Sequence, residues 1–140
     1  MGVGGRVRIK NWRGKAITAE LTEEFRRRLF KAGAVAASHC RRILSTSSRA
    51  NGPSSPGDPP HADTGRLRNS VTHDVVNRGD GELVAVIGTN VEYAPHLQFG
   101  TKNKDGSVRI SPRPFIDVAV YEKREEIKKI LDRRYGKRKK

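Results

Sequence analysis

Four histidines, one cysteine and fifteen acidic residues are the groups with which this 140-residue chain could run a reaction. His39 and Cys40 are neighbours, and on a helix neighbouring side chains point about 100° apart, too far round for a base to meet its nucleophile. The pair reads as a packed cysteine beside a surface histidine. His61, His73 and His96 lack the paired spacings of a zinc site, and there is no HExxH, so no metal or cofactor is expected. Asp58, Asp63 and Glu92 lie in or beside loops, where no helical or strand period fixes two of them as acid and base. The serines of 45–55 have no nucleophile elbow around them. The glycines of "GVGGR" lack the preceding strand and following helix of a phosphate cradle and read as an arm. "RGD" at 78–80 reads as turn chemistry. The chain is expected not to be an enzyme.

The elements that would position these groups follow from periodicity. Residues 6–12, "RVRIKNW", alternate apolar and basic, the period of a short edge strand. Thr18 or Thr22 can cap a helix along which Leu21, Phe25, Leu29, Ala32, Ala36, Cys40 and Ile43 draw one apolar stripe, with Glu20, Glu23 and Glu24 near its positive end. From 45 to 62 the pattern gives way to a Pro/Gly/Ser-rich loop, and loops of that length inside small domains are functional or disordered. "SVTHDVVN" (70–77) and "ELVAVIG" (82–88), joined by "RGDG", predict a hairpin. Tyr93 and Leu97 are one helical turn apart before Gly100 stops it, and "KNKDGS" reads as a flexible loop. Pro114 starts a helix carrying Ile116, Ala119, Val120, Ile127, Ile130 and Leu131, ended by Gly136 with residues 136–140 as a basic tail. The expected fold is α+β: one domain over 1–140, a small antiparallel sheet packed against a long N-terminal helix and a C-terminal helix, with a long extended Pro/Gly loop.

Hydrophobic residues make up 34% and charged residues 31%, so the core is small and some surface awaits a partner. Lysine and arginine number 29 against 15 acids, a formal charge of +14 that favours anionic partners. The clusters "RRR" (26–28), "CRR" (40–42) and "KRKK" (137–140) keep a basic nucleic-acid-binding protein as the alternative reading. Against it, aromatics are 6% and are not interleaved with the basic runs as base-stacking platforms would be. No window approaches the roughly 18 apolar residues of a membrane span, the start lacks a signal-peptide run, and Arg6 stands where a myristoylation signal needs Ser or Thr. A soluble intracellular product without a membrane partner is expected, and the single cysteine suits a reducing compartment.

Three separated stretches, "PGDPPHADTGRLRNSV" (56–71), "IGTNVEYAPHLQFGT" (87–101) and "RPFIDVAV" (113–120), resemble the small tail-component or neck proteins of long-tailed bacteriophages, a group that includes tail-completion and tail-terminator proteins. The resemblance runs from the first helix to the last, in order. It implies a structural virion protein, present in the host cytoplasm during assembly, that forms a homo-oligomeric ring, often of six, at the head-tail junction. Its partners would be the head-closure or connector protein and the tail tube or other neck proteins, with DNA in the channel as a further non-specific contact. One departure is Gln98, where the family often has an acidic residue. On this reading loop 45–62 is an arm reaching a neighbour, and the subunit-interface candidates are Pro56, Pro59, Pro60, Asp63, Thr64, Gly65, Leu67, Tyr93, Leu97, Phe99, Arg113 and Phe115. Asp63 or Thr64 would cap a turn, Gly65 would allow close approach, and Leu67 would anchor the loop. Tyr93, Leu97 and Phe99 read either as plain core or as core plus subunit contact.

Overall fold

The structure, a computed structural model, describes residues 3–7, 19–45, 54–60, 65–79 and 82–132, with backbone alone for 3–7 and 19–21. In chain order the elements are β1 (Val3–Val7), α1 (Ala19–Ile43), α2 (Arg66–Ser70), β2 (Thr72–Asn77), β3 (Leu83–Thr89), α3 (Ala94–Phe99), β4 (Thr101–Lys102), β5 (Val108–Ile110), α4 (Ile116–Glu122) and α5 (Arg124–Asp132). The fold is α+β, with a three-stranded antiparallel sheet in the order β1-β3-β2 and a separate two-stranded one, β4-β5.

The long helix forms as its apolar period predicts, and its buried face is built from small residues: Ala32, Gly33, Ala36, Ala37 and Cys40. Small side chains let neighbouring elements come close, and α1 packs against β2, β3, α4 and α5. A Cβ added at Gly33 would lie 3.3 Å from the His73 ring, which shows how near β2 runs to the helix. The main core joins Ala32, Ala36, Ala37, Cys40 and Leu44 to Ile87, Ile116, Ala119 and Ile127, and a smaller cluster joins Leu29 to Val75 and Ala85. Cys40 is fully buried, and burial pushes its thiol up to about 12 despite the nearby Arg41 charge, so it behaves as an inert packing group. His39, expected at the surface, is buried instead. Its Nδ1 accepts from Arg42 of the same helix at 3.0 Å and its Nε2 meets the Glu122 carboxylate, so one ring nitrogen orients the ring on α1 and the other ties α1 to α4.

The predicted 70–88 hairpin forms, with Val76 opposite Val84 and Asp74 opposite Val86. Two arginines of α1 reach the backbone of this edge: Arg41 donates to the Val71 carbonyl at 2.7 Å and Arg26 to that of Val75 at 3.4 Å. Charged groups at an edge discourage stray pairing.

Three expectations shift. The N-terminal edge strand already begins at Val3, ahead of the expected 6–12, so "GVGGR" is largely strand and not a free arm; residues 8–12 lie outside the described residues. "KNKDGS" is the turn of the β4-β5 hairpin, closed by the Asn103 amide on the Ser107 carbonyl at 2.8 Å. The C-terminal helix breaks at Lys123 (φ −98°, ψ 5°) into α4 and α5, while its end near Gly136 and the basic tail lie outside the described residues.

His73 faces α1 against Phe30, ring centroids 4.6 Å apart, and its Nε2 is buried with no hydrogen-bond partner among the described residues. Burial first, then the Arg41 guanidinium, lower its pKa from 6.5, and Asp74 pulls the other way. The unfolded chain therefore takes up the proton more readily, so the stability this site provides is complete above pH 6.5 and falls as pH drops below it. We expect the thermal midpoint to drop between pH 7 and pH 5, and His73→Phe, which keeps a ring against Phe30, to show a smaller drop. Identical pH profiles for the two proteins would refute this.

Candidate assembly surface

The Pro/Gly segment 54–60 is seated on its own chain. Arg113 reaches the Ser54 carbonyl with both Nη2 (3.0 Å) and Nε (3.2 Å), and the Gly57 amide donates to the Pro112 carbonyl at 2.9 Å. An Asp58 amide bond to the Ser55 carbonyl closes the turn between these anchors. Ser54 and Pro60 are buried, Pro59 is half-buried and Pro56 is exposed. The expectation of an arm free along its whole length therefore fails for 54–60; residues 46–53 lie outside the described residues.

The same segment fixes α3. The Arg113 amide donates to the Leu97 carbonyl at 2.7 Å, and Gly100 turns the chain out of the helix at φ 71°, ψ 177°. That backbone region belongs almost entirely to glycine, and a Cβ there would lie 2.5 Å from the Ile110 carbonyl oxygen. Gln98 completes the joint. Buried in α3, it accepts from the amides of Phe115 (3.1 Å) and Ile116 (3.3 Å) through Oε1, while its Nε2 donates to Asp117 at 2.8 Å. One amide side chain thus caps α4, satisfying amides that a helix start leaves unpaired. A carboxylate at this position would meet Asp117 as a like charge, which gives the glutamine a physical reason.

The candidate residues separate by exposure. Phe115 is fully buried in the core, which corrects its reading as a surface for a neighbour. Leu67 is buried as well, on α2. Gly65 caps α2 in a left-handed conformation at φ 75°, so its need for glycine is conformational and not the close approach expected. Asp63 and Thr64 lie outside the described residues. Leu97 packs partly against the core, whereas Tyr93 (40%) and Phe99 (66%) are exposed, which removes plain core, the first of the two alternatives, for these two residues. Val108, unmarked in sequence, is 60% exposed on the β4-β5 hairpin, whose cations are Lys102, Lys104 and Arg109. The signal that could have found this hairpin is Asp105-Gly106, a turn dipeptide, but strands of two and three residues show no period.

Segment 54–60, residues 112–113, α3 and the hairpin thus make one connected region, held by backbone bonds and carrying exposed apolar side chains. Residues 14–100 match a protein family described as "Bacteriophage HK97-gp10, putative tail-component". The chain belongs to this HK97-gp10-like family. No curated protein matches it, and no solved structure does. Membership supports a structural role in the bacteriophage tail, and hence in the virion among other phage structural proteins. The family match takes in α1 through α3 and ends at Gly100, so the β4-β5 hairpin, α4 and α5 lie beyond it. No helix among the described residues is long and apolar enough to cross a membrane.

Two substitutions probe the joint. Gln98→Leu strands two amides at the start of α4 and should cost about 2 kcal/mol or more in denaturant unfolding, since an unpaired buried polar group costs roughly 1–3 kcal/mol; a loss under about 0.5 kcal/mol would show that the cap is dispensable. Arg113→Ala should speed hydrogen exchange at the Gly57 amide while exchange in α1 stays unchanged. Undiminished protection at Gly57 would show that Arg113 does not hold the loop.

Proposed function

We propose that this chain is a non-enzymatic, single-domain subunit of a ring, of six copies, at the head-tail junction of a long-tailed phage. It completes or terminates the tail and joins it to the head-closure or connector protein. Family membership supports the tail assignment. The observation that carries the ring reading is the connected surface just described, where Tyr93, Phe99 and Val108 stand exposed on backbone pinned by Arg113, Gly100 and Gln98. Exposed apolar groups on a fixed scaffold suit a contact that forms without large rearrangement. A closed ring needs two different, complementary patches on every subunit.

The charge of +14 favours the second reading, a basic nucleic-acid-binding protein. In a ring around a channel the same charge would face acidic neighbours or the phosphates of passing DNA.

Native mass spectrometry of the purified chain, alone and mixed with the head-closure or connector protein of the same phage, separates the two. The expected result is a discrete closed oligomer of six copies. A chain that stays monomeric in both, and binds duplex DNA with submicromolar affinity that falls steeply between about 50 and 200 mM salt, would overturn the ring in favour of the second reading.

A further inference from the structure

The β4-β5 hairpin is a two-stranded sheet of ten residues, 101–110, of which Thr101 and Ile110 alone are half-buried and the rest exposed. No other element packs extensively along it among the described residues. An isolated two-stranded hairpin is marginal in water, so a surface that covers it would also stabilise it. The hairpin carries three cations, Lys102, Lys104 and Arg109, against one acid, Asp105, and the apolar pair Phe99 and Val108 stands at its base and on its second strand. Bare phosphate would answer the cations and leave Phe99 and Val108 in water. A protein surface that is acidic and has an apolar centre answers both.

The chain itself carries such a surface. Residues 117–126 hold four carboxylates against two cations, a local reversal of sign in a chain of +14. At the junction of α4 and α5, Tyr121 is 66% exposed. On the same two helices the Glu122, Glu125 and Glu126 side chains are all more than half exposed, Glu122 being held by His39, Glu126 by Lys123 at 2.9 Å and Glu125 by Arg124 only at 3.8 Å. Arg124 lies over the Tyr121 ring at 4.0 Å, which presents the ring as a flat platform. The hairpin and the α4-α5 junction lie beyond the stretch that matches the family, and Phe99 stands at its end.

We infer that the β4-β5 hairpin of one copy docks on the α4-α5 junction of the next, Phe99 and Val108 against Tyr121 and Lys102, Lys104 and Arg109 against Glu125 and Glu126. The inference rests on the ring reading and names its two complementary patches. Contact between a positive and a negative patch also offsets the mutual repulsion of copies that each carry +14.

A charge-swap mixture tests it. The first variant carries Lys102→Glu, Lys104→Glu and Arg109→Glu; the second carries Glu125→Lys and Glu126→Lys. Each alone sets like charges across the contact, so each should be monomeric at concentrations where the wild type is fully assembled, at least a tenfold loss of assembly. Mixed in equal amounts they should regain a closed oligomer with alternating subunits, read by native mass spectrometry as even-numbered species of both masses. Variants that assemble alone as the wild type does, or a mixture that stays monomeric, would overturn the docking while leaving the ring intact. So would a hairpin variant that loses only DNA binding. A wild type that never assembles would bring down the ring reading and the docking with it. Folding of each variant is read from Cys40, which should stay closed to a thiol reagent until denaturant is added. Val108→Ser and Tyr121→Ser, both at exposed positions, should each weaken assembly without opening Cys40; unchanged assembly in both would also overturn the docking.

Discussion

The close approach that α1 allows along its small-residue face sets the spacing of everything packed on it. Ala32, Gly33, Ala36, Ala37 and Cys40 present almost no side-chain bulk, so β2, β3, α4 and α5 all reach the same helix. Interaxial distance depends on the side chains at the contact, and larger residues here would push sheet and C-terminal helices outward together. The arrangement leaves little apolar mass per residue, which fits a hydrophobic content of only 34%. Polar ties make up part of the difference: Arg41 binds the Val71 carbonyl just before β2, Arg26 binds the β2 backbone at Val75, and His39 binds α4 through Glu122. Each is anchored on α1, so the helix organises the core through both packing and hydrogen bonds.

A second joint depends on the first. α4 is placed by packing of Ile116 and Ala119 into the α1 core, and its first amides are then met by Gln98 from α3. The backbone just before it, at Pro112 and Arg113, takes up the 54–60 loop and the end of α3. Loop position is thereby coupled to core geometry through three or four hydrogen bonds, each worth about 0.5–1.5 kcal/mol net. That is enough to hold an ordered segment of low apolar content, and it explains how a Pro/Gly stretch rests on the body with little beyond Pro59 and Pro60 to pack.

What the sequence revealed follows the length of each pattern. Twenty-five residues of helical period made α1 unmistakable, and the Val-rich runs flanking a Gly-rich turn located β2 and β3. The start of β1 at Val3 is not legible because its glycines have poor strand propensity and its form depends on pairing with β3, with Gly4 opposite Gly88. The break at Lys123 leaves no mark, since neither proline nor glycine sits there. Which of the site residues are buried was not legible residue by residue. Tyr93, Phe99 and Phe115 are similar hydrophobes in sequence, and only the turn at Gly100 and the return through Gln98 decide that Phe99 faces solvent while Phe115 fills the core. Gln98 attracted notice as a departure from a family habit, but its work as a helix cap needs the three-dimensional meeting of α3 and α4.

The hairpin illustrates how such a chain can acquire a specific surface without disturbing its core. The chain leaves the body at Gly100 and returns at Pro112, and the two ends are clamped side by side: Gly100 stands against the Ile110 carbonyl, and the Arg113 amide holds the Leu97 carbonyl. With both ends fixed, residues 101–110 contribute little to the packing of α1, so changes in their charge or length should leave the core unaffected. The family match stops at the same glycine. The core-forming stretch and the outgrowth thus meet at one backbone position, which glycine alone suits because of its φ and ψ. The core takes the chain up again at Phe115, Ile116, Ala119 and Ile127, so the freedom from its packing is confined to the outgrowth between the two clamps.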